Sequence, residues 1–291
     1  MRGSITPRVD IAFKKIFGVE ENKDLLISLI NSIVSEEDQV EQVTLLNPYN
    51  PRNFRDDKLS ILDIKAIGNN GKMFNIEIQI SDEADYDKRA LYYWARLYTE
   101  QLKKSKDYAK LNKAIGIHIL NFLSIPGVEK YHNVFEMKER DSNVAYFSDI
   151  ELHTIELNKF ANPSDKTSDE LTSLLPHIKT ALDRWVTFIA KDHLLDKNKL
   201  PKELDKPELH KALDVLDEMN FNDDERENYE AHLKWLMVQA NSLKKMQEDS
   251  FAEGEQAKAI EIASKLLSAG MDIQQIMQIT NLSEDEIKNL R

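Results

Sequence analysis

Two acidic residues, Asp63 and Glu77, are the residues of this 291-residue chain whose types and spacing best suggest chemistry. Asp63 lies in the run Ile-Leu-Asp-Ile-Lys, and Glu77 lies in the run Asn-Ile-Glu-Ile-Gln. Paired carboxylates in a partly apolar site are ligands that Mg²⁺ uses when it acts on a phosphate. The pair therefore suggests metal-assisted phosphate chemistry, provided that the chain folds so that the two side chains meet.

The segments around both acids are predicted to be β-strands joined by a tight turn. Isoleucines alternate with polar residues over 75–80, and the same period of two occurs over 62–66. The connection over 68–71 is Gly-Asn-Asn-Gly, which is rich in turn-forming residues.

Two turns compete for this hairpin. A two-residue Asn70-Gly71 turn would place Asp63 opposite Ile78 and would mix charged and apolar residues on each face. A three-residue turn with Gly71 left-handed would instead place Asp63 opposite Glu77. Because a slip of one residue moves every side chain to the other face, the matching of polar with polar residues favours the three-residue turn.

In the same register Lys65 lies opposite Asn75, so that the polar residues share one face. Directly opposed carboxylates repel each other unless a cation or a proton lies between them. A solvated strand face is the other interpretation of this hairpin, and it stays open on spacing alone.

Composition limits the classes of site that the chain can contain. The absence of cysteine excludes disulfides and thiolate zinc sites. His118 lies in an apolar run, and we expect a core or strand-edge residue there rather than a ligand. No apolar run approaches the length of a membrane span and no signal peptide opens the chain, so we expect a cytoplasmic protein without membrane contact.

The charge of the chain is unevenly distributed. The net charge is −12, and it belongs to the part of the chain after residue 130. The stretch 86–113, which follows the hairpin closely, is basic. The acidic balance argues against nucleic acid as a partner, and the basic stretch argues for it.

The wider pattern predicts an α/β protein with a mixed sheet flanked by helices and with an α-helical C-terminal region. Predicted helices cover 10–35, 85–104, 177–191, 207–219 and 223–250, and predicted strands cover 40–46, 114–122, 131–137 and 152–157, besides the hairpin. A loop is predicted over 47–57 and a polar linker over 162–169. We therefore expect a first domain over 1–160, a helical extension over 161–250 and a tail of short helices over 251–291.

The helix over 85–104 is predicted to follow the hairpin directly. Its predicted apolar stripe consists of Leu91, Ala95, Tyr98 and Leu102. Arg89 and Arg96 are predicted on the opposite side, where they can contact phosphate. A surface pair between Arg96 and Glu100 is an alternative for the second arginine.

The tail over 251–291 is predicted to contain two or three short helices. One ends at Gly270, and the last begins at Ser283 with Glu286 as its capping partner. Short helices joined by tight turns are typical of helix-turn-helix DNA readers. The last helix is acidic, however, and we favour an interaction or assembly tail.

Four stretches of the chain together resemble a known family. They are Asp10-x-x-Phe13-Lys14-x-x-Phe17-Gly18, the run 60–66 around Asp63, the run 75–79 around Glu77, and the run 88–98 followed by Glu100-Gln101. Their order and spacing over about 10–160, and the tail after Gly254, resemble the Rpn-type recombination-promoting nucleases, or putative transposases, of the PD-(D/E)XK nuclease superfamily.

The resemblance implies a PD-(D/E)XK restriction-endonuclease-like core and roles for particular residues. Asp63 and Glu77 would be the acidic metal ligands, and the Ile78 carbonyl would be a backbone ligand. Gln79 stands where the superfamily pattern normally has lysine. Glutamine cannot carry the positive charge, although it can orient a water molecule, and Lys65 on the same predicted face can supply that charge.

Asp10 has two interpretations. It stands where many such nucleases place an extra acidic group near the metal, and it also precedes the predicted helix at Ile11. We favour an N-cap role for this residue.

The function that we expect is Mg²⁺-dependent endonucleolytic hydrolysis of DNA, with Mn²⁺ as a possible substitute, in a protein tied to recombination or mobile DNA. DNA is then the partner, and the sequence is compatible with a homodimer and with a protein partner at the acidic helical half. The alternative is a catalytically inactive nuclease-fold protein that binds nucleic acid or assembles with other proteins. Gln79 and the acidic balance are the features that favour the alternative.

Overall fold

The computed structural model describes residues 5–48, 63–80, 85–103, 107–160, 170–219 and 221–290. At Asp63, and at positions 228, 232, 235–237, 239–255 and 257 in the long C-terminal helix, it describes the backbone but not the side chain. The loop predicted over 47–57 lies almost wholly outside these ranges, and the linker predicted over 162–169 lies wholly outside them.

Within the described ranges all strands lie before residue 157, and the elements after it are helical. The strands are β1 (Val43–Leu45), β2 (Asp63–Gly68), β3 (Met73–Gln79), β4 (Ala114–Leu120), β5 (His132–Glu136) and β6 (Ile150–Glu156). The helices are α1 (Asp10–Phe17), α2 (Lys23–Ile33), α3 (Tyr86–Glu100), α4 (Glu170–Leu174), α5 (Ala181–Lys191), α6 (Pro207–Asp217), α7 (Asp223–Ser268), α8 (Ile273–Thr280) and α9 (Glu284–Lys288).

Within the described residues the strands form one mixed sheet in the order β1-β2-β3-β4-β6-β5. β3, β4 and β6 are parallel neighbours, whereas β1 with β2, β2 with β3, and β5 with β6 are antiparallel. α3 lies in the connection between the parallel strands β3 and β4, as such crossovers require. The predicted α/β class with a mixed sheet is confirmed.

The β2–β3 hairpin has the register that the polar pattern predicts. Gly71 is left-handed, with a φ of 80°, and its N–H donates to the Gly68 carbonyl at 2.9 Å. Asp63 pairs with Glu77, and Lys65 pairs with Asn75. The three-residue turn is therefore confirmed over the two-residue turn.

The main hydrophobic core lies on one face of the sheet. Ile64, Ile76 and Ile117 from three adjacent strands pack there in the same cluster as Phe17 and Trp185. The rings of Phe17 in α1 and Trp185 in α5 meet edge to face, with centroids 5.3 Å apart. This face holds the isoleucines of the hairpin, which leaves its polar residues on the face that α3 covers.

α3 packs on the other face of the sheet with a different stripe from the one predicted. Its buried residues are Tyr86, Ala90, Trp94 and Leu97, whereas Leu91 is 49% exposed. The prediction failed because it followed the aliphatic residues, while Tyr86 and Trp94 take the buried positions. Each ring buries a large apolar area and can also bond its polar tip.

The role predicted for Asp10 as an N-cap is wrong. α1 begins at Asp10 itself, and the N-cap residue is Val9, which makes no side-chain capping bond. An acidic residue in the first turn stabilises the positive end of the helix. Asp10 also lies 3.9 Å from the Lys14 ammonium, one turn further along.

The predicted N-caps of the C-terminal helices are confirmed, but one predicted helix end is wrong. Asn222 and Glu225 form the expected capping box, with both reciprocal bonds at 2.9 Å. A second capping box joins Ser283 and Glu286. The helix predicted to stop near 250 continues to Ser268 because no break occurs around Gly254.

The described chain divides into two compact units, 1–233 and 234–291. In the second unit α8 and α9 pack with the end of α7 around Ala263, Ile276, Leu282 and Ile287. The domain limits expected from the sequence stay a prediction. No helix in the described ranges is long and apolar enough to cross a membrane.

Replacing Gly71 by alanine should destabilise the protein. A residue with a side chain is strained at a positive φ by about 1–2 kcal/mol, and the added Cβ would lie 3.0 Å from Asn112 Oδ1. Urea unfolding of G71A measures the loss. G127A is the matched control because Gly127 also has a φ of 80° but has no atom near its Cβ position. A smaller loss for G71A than for G127A would contradict this account of the turn.

Candidate functional site

Asp63 and Glu77 are direct partners in the β2–β3 ladder, and Glu77 lies on the sheet face that α3 covers. The β2–β3 register pairs them directly, and directly opposed residues have Cβ atoms about 5 Å apart. The Glu77 residue is 1% exposed. A buried carboxylate beside a second acidic residue needs compensation, because isolated buried charge is costly.

Glu77 has polar neighbours on its own strand and on the next. Asn75 donates its Nδ2 hydrogen to Glu77 Oε1 at 3.0 Å. The strand register places His118 of β4 directly beside Glu77, and His118 Nδ1 lies 3.8 Å from Glu77 Oε2. That separation is too long for a hydrogen bond.

His118 is buried and neutral at pH 7. Burial lowers the pKa of the imidazole to about 4, with smaller contributions from His153 and from Arg89. The contact with Glu77 is therefore not an ion pair. The ring nitrogen Nδ1 is instead hydrogen-bonded to the Tyr86 hydroxyl of α3 at 2.8 Å, and the two rings meet edge to face.

Gly116 allows the His118 ring and the Leu152 side chain to approach the β4 backbone closely. A Cβ at position 116 would lie 3.0 Å from His118 Nε2 and 2.8 Å from Leu152 Cδ2. The register also makes Asn75 the direct neighbour of Gly116. The missing side chain thus lets the His118 ring and Leu152 pack tightly at this position of β4.

Lys65 and Gln79 flank the two acids from opposite sides. Lys65 pairs with Asn75, one step before Glu77 on that face, whereas Gln79 is one step after it. Steps of two residues along a strand measure roughly 6.5 Å. Gln79 is 6% exposed and Lys65 is half-buried. Lys65 therefore lies on the opposite side of the acids from Gln79.

The two candidate phosphate-binding arginines have different environments. The Arg89 guanidinium lies over the Tyr86 ring, 5.2 Å from its centroid, and its charge contributes to the lowered pKa of His118. Arg96 is exposed and forms an ion pair with Glu100 at 2.9 Å. The prediction that both arginines lie opposite the buried stripe is wrong for Arg89, because the stripe begins at Tyr86.

Within the described residues no cluster of three or more His, Asp or Glu side chains could hold a metal ion, although the Asp63 side chain lies outside that description. The donor set nevertheless suits a hard divalent cation. Glu77 is a buried carboxylate oriented by Asn75, and the paired position opposite is an aspartate. Oxygen ligands of this kind are those that Mg²⁺ and Mn²⁺ prefer.

The place of His118 at this site is the feature that the sequence interpretation missed. It was predicted as a core or strand-edge residue, and its burial agrees with a core position. Its position beside Glu77 depends on β4 pairing with β3 in parallel register, which the apolar run around His118 does not specify. A polar residue at the centre of an otherwise apolar strand was the available signal.

Comparison with models of protein families shows the family to which the chain belongs. The family described as PD-(D/E)XK nuclease family transposase matches residues 7–246. The chain belongs to this family. The match covers the hairpin, α3 and the whole mixed sheet, so that Asp63 and Glu77 lie within a nuclease-family domain related to mobile DNA. The resemblance drawn from the four sequence stretches is confirmed.

A second family model covers the end of the chain. The C-terminal HTH domain of the Rpn/YhgA-like nuclease family matches residues 256–291. This match supports a helix-turn-helix arrangement of the tail. From the sequence we favoured an interaction or assembly tail instead. Comparison with curated proteins and with solved structures found no match.

Proposed function

We propose that the protein is a Mg²⁺-dependent DNA endonuclease that acts in recombination or on mobile DNA. The observation that carries the proposal is the direct pairing of Asp63 with Glu77 on the covered face of a sheet that belongs to a nuclease family. The proposal extends to Mn²⁺ as an alternative cation, since both ions favour carboxylate oxygen.

In this proposal Glu77 and Asp63 hold the cation, and the Ile78 carbonyl is a further oxygen ligand. Asn75 bonds one carboxylate oxygen of Glu77 and so helps to orient this ligand. A bound Mg²⁺ lowers the pKa of a coordinated water and neutralises charge on the scissile phosphate. Burial of Glu77 limits competition from bulk water and strengthens these interactions.

Gln79 and Lys65 together have the two roles that a single lysine has in the superfamily pattern, which are to orient the attacking water and to supply positive charge. Gln79 is buried at the end of β3, where its amide can orient the attacking water through hydrogen bonds. Lys65 supplies positive charge near the phosphate from the other side of the acids. A split of this kind would allow hydrolysis without a lysine at position 79.

DNA contacts are proposed for α3 and for the C-terminal unit. Arg89, held over the Tyr86 ring beside His118, would face the phosphate that reacts, and exposed Arg96 would contact the backbone further along. Contacts of this type position DNA without reading its sequence, and they weaken as salt rises. The helix-turn-helix match supports a second DNA contact in the unit 234–291.

The alternative proposal is a nuclease-fold module that no longer cleaves. Gln79 at the lysine position favours it, because the site then lacks a built-in charge beside the attacking water. The net charge of −12 favours a protein partner for the acidic helical half. Measurement of metal binding separates the two proposals.

Asp63→Ala and Glu77→Ala should each abolish Mg²⁺-dependent nicking of supercoiled plasmid, and each should greatly weaken Mg²⁺ binding in calorimetric titration. The reason is that each substitution removes a charged ligand. Asp214→Ala is the control, because that exposed carboxylate is paired with Lys197 in the helical region after the sheet. Equal nicking by the wild type and both variants would identify a contaminating nuclease, and a wild type that binds no Mg²⁺ would favour the inactive module.

Lys65→Ala and Gln79→Ala should both lower the cleavage rate, but for different reasons. Loss of Lys65 removes charge, so that Lys65→Arg should retain more activity than Lys65→Ala. Loss of Gln79 removes a hydrogen-bonding group, so that Gln79→Lys should retain or raise activity. Single-turnover rates at saturating Mg²⁺ provide the comparison. Full cleavage by Lys65→Ala would show that this lysine does not compensate for Gln79.

A homodimer is the assembly that we propose, because cleavage of both strands needs two active sites or two events. β5 is an outer strand of the sheet, and exposed edge strands pair readily with other strands. The segment from β5 onward exposes the large apolar side chains Val134, Phe135, Met137, Val144, Tyr146 and Phe147. Antiparallel pairing of two copies centred on Met137 would set Glu136 of one copy opposite Lys138 of the other.

Met137→Glu should therefore convert the dimer to a monomer, since the two introduced carboxylates would lie directly opposite each other. Sedimentation velocity measures the change. Ile279→Glu, at an exposed apolar position in the other compact unit, is the control. A monomeric wild type at tens of micromolar protein, or a dimeric Met137→Glu variant, would refute this interface and would leave the nuclease proposal intact.

A further inference from the structure

α3 carries a tyrosine between two basic residues on its solvent side. Lys88, Tyr92 and Arg96 follow one another at steps of four residues, and residues four apart on a helix are surface neighbours. All three are exposed, and Tyr92 is 62% exposed. Single exposed apolar side chains are normal on a protein surface, whereas here a large ring lies in one row with two cations.

A second row beside the first leads towards the candidate site. Arg89 and Tyr93 are also four residues apart, and both are half-buried. The Arg89 guanidinium lies over the Tyr86 ring, which contacts His118 edge to face. The rings of Tyr92 and Tyr93 meet with centroids 5.7 Å apart. Tyr92 is six residues beyond Tyr86, about 9 Å along the helix axis, which roughly two or three stacked nucleotides of one DNA strand would cover.

Two acidic residues pair with the cations of the first row. The Asp85 carboxylate lies 2.7 Å from the Lys88 ammonium, and the Glu100 carboxylate lies 2.9 Å from the Arg96 guanidinium. The pKa of Arg96 is raised, chiefly by Glu100 and less by the two neighbouring tyrosines. Exposed ion pairs contribute little in water, so that phosphate groups can replace the carboxylates as partners of both cations.

Charge and ring chemistry together favour nucleic acid as the partner of this face. The stretch 86–113 contains more than twice as many lysines and arginines as aspartates and glutamates, in a chain whose net charge is −12. Lysine and arginine bind the phosphates of any sequence. A tyrosine ring adds stacking on a base. Because neighbouring bases cover each base inside a duplex, the ring can stack fully only on a base that is unpaired and unstacked.

We propose that the face of α3 formed by Lys88, Arg89, Tyr92, Tyr93 and Arg96 binds unpaired nucleotides of DNA next to the scissile phosphate, with Tyr92 stacking on a base. The preferred substrate class is then DNA that contains a single-stranded or locally opened segment. Closed duplex gains the phosphate contacts but not the stacking. The place of this face beside the cleaved bond rests on the proposed function, whereas binding of a single strand requires no cleavage.

The first test measures binding without cleavage. Fluorescence anisotropy follows a labelled single-stranded oligothymidylate on the full chain in EDTA. Relaxed covalently closed plasmid, which has neither ends nor unpaired bases, is the duplex competitor. Tyr92→Ala should weaken oligothymidylate binding about fivefold or more, as loss of a stacking ring does, and should leave plasmid binding unchanged. Tyr92→Phe should bind like the wild type, because the ring remains.

Leu91→Ala is the matched control for the ring. Leu91 is the preceding residue of the same helix and is 49% exposed, but it has no ring to stack. The variant should bind oligothymidylate like the wild type. Equal losses in Leu91→Ala and Tyr92→Ala would indicate general apolar docking and would overturn the proposal, as would a Tyr92→Ala variant that binds like the wild type.

Salt dependence separates stacking from charge. Arg96→Ala should reduce the slope of log affinity against log salt by about 0.7, as loss of one phosphate contact to a single strand does. Tyr92→Ala should lower the affinity at every salt concentration and leave the slope unchanged, since stacking releases no counter-ion. A reduced slope in Tyr92→Ala would contradict the stacking role of this residue.

Mg²⁺-dependent cleavage tests the substrate class. The wild type should cleave a duplex with an unpaired bubble faster than the matched duplex, and Tyr92→Ala should lose most of that preference. Equal cleavage of both duplexes by the wild type would overturn the inference and leave the nuclease proposal intact. Tyr92-dependent binding of oligothymidylate without cleavage of any DNA would instead refute the nuclease proposal alone. A Tyr92→Ala variant that binds DNA normally but no longer dimerises in sedimentation velocity would assign the face to a second copy and overturn the inference.

Discussion

The antiparallel register of β2 against β3 is the constraint on which the site depends. Side chains alternate between faces, so that a slip of one residue would carry Glu77 into the main core and Ile76 out of it. Gly71 fixes the register because its left-handed conformation suits the three-residue turn. The strand pairing and the apolar packing therefore select the same arrangement, and Asp63 and Glu77 become strand partners as a consequence of both.

Two ring side chains of α3 bond polar groups of the sheet face that the helix covers. Trp94 donates its indole N–H to the Ala114 carbonyl at 2.7 Å, and the Tyr86 hydroxyl bonds His118. Their ring bodies supply apolar contact with the sheet. Side chains that are apolar along most of their length and polar at one end are suited to this task. Leucines at the same positions would bury apolar area but would leave His118 and the Ala114 carbonyl without these partners from the helix.

The sequence allowed prediction of those features that depend on local pattern. The alternation of isoleucines with polar residues and the Gly-Asn-Asn-Gly turn predicted the hairpin and its register. The capping residues Asn222 and Ser283 predicted helix starts, because a cap acts within one turn. The four family-like stretches predicted the nuclease relationship, and the mixed sheet followed from the order of the elements.

Features that depend on tertiary contact were missed. The buried residues of α3 were predicted wrongly because either Tyr86 or Leu91 could face the sheet. The helical periodicity alone does not distinguish between them, and only the packing against the sheet does. The position of His118 beside Glu77 requires a parallel pairing that no short pattern encodes. The end of α7 was misjudged because a single Gly254 costs a helix only about 1 kcal/mol, which neighbouring residues with high helix propensity can offset.

The strand order also bears on the order in which the parts of the site come together during folding. The acids are joined by a short hairpin, whereas His118 reaches them only through the long crossover that contains α3. Short loops close at lower entropic cost than long ones, so that the hairpin can bring Asp63 and Glu77 into register while water still surrounds them. In water two such charges repel by only about 1 kcal/mol at 4 Å. α3 covers the face that carries Glu77, so the larger electrostatic cost of burying this carboxylate arises when that helix packs on the sheet.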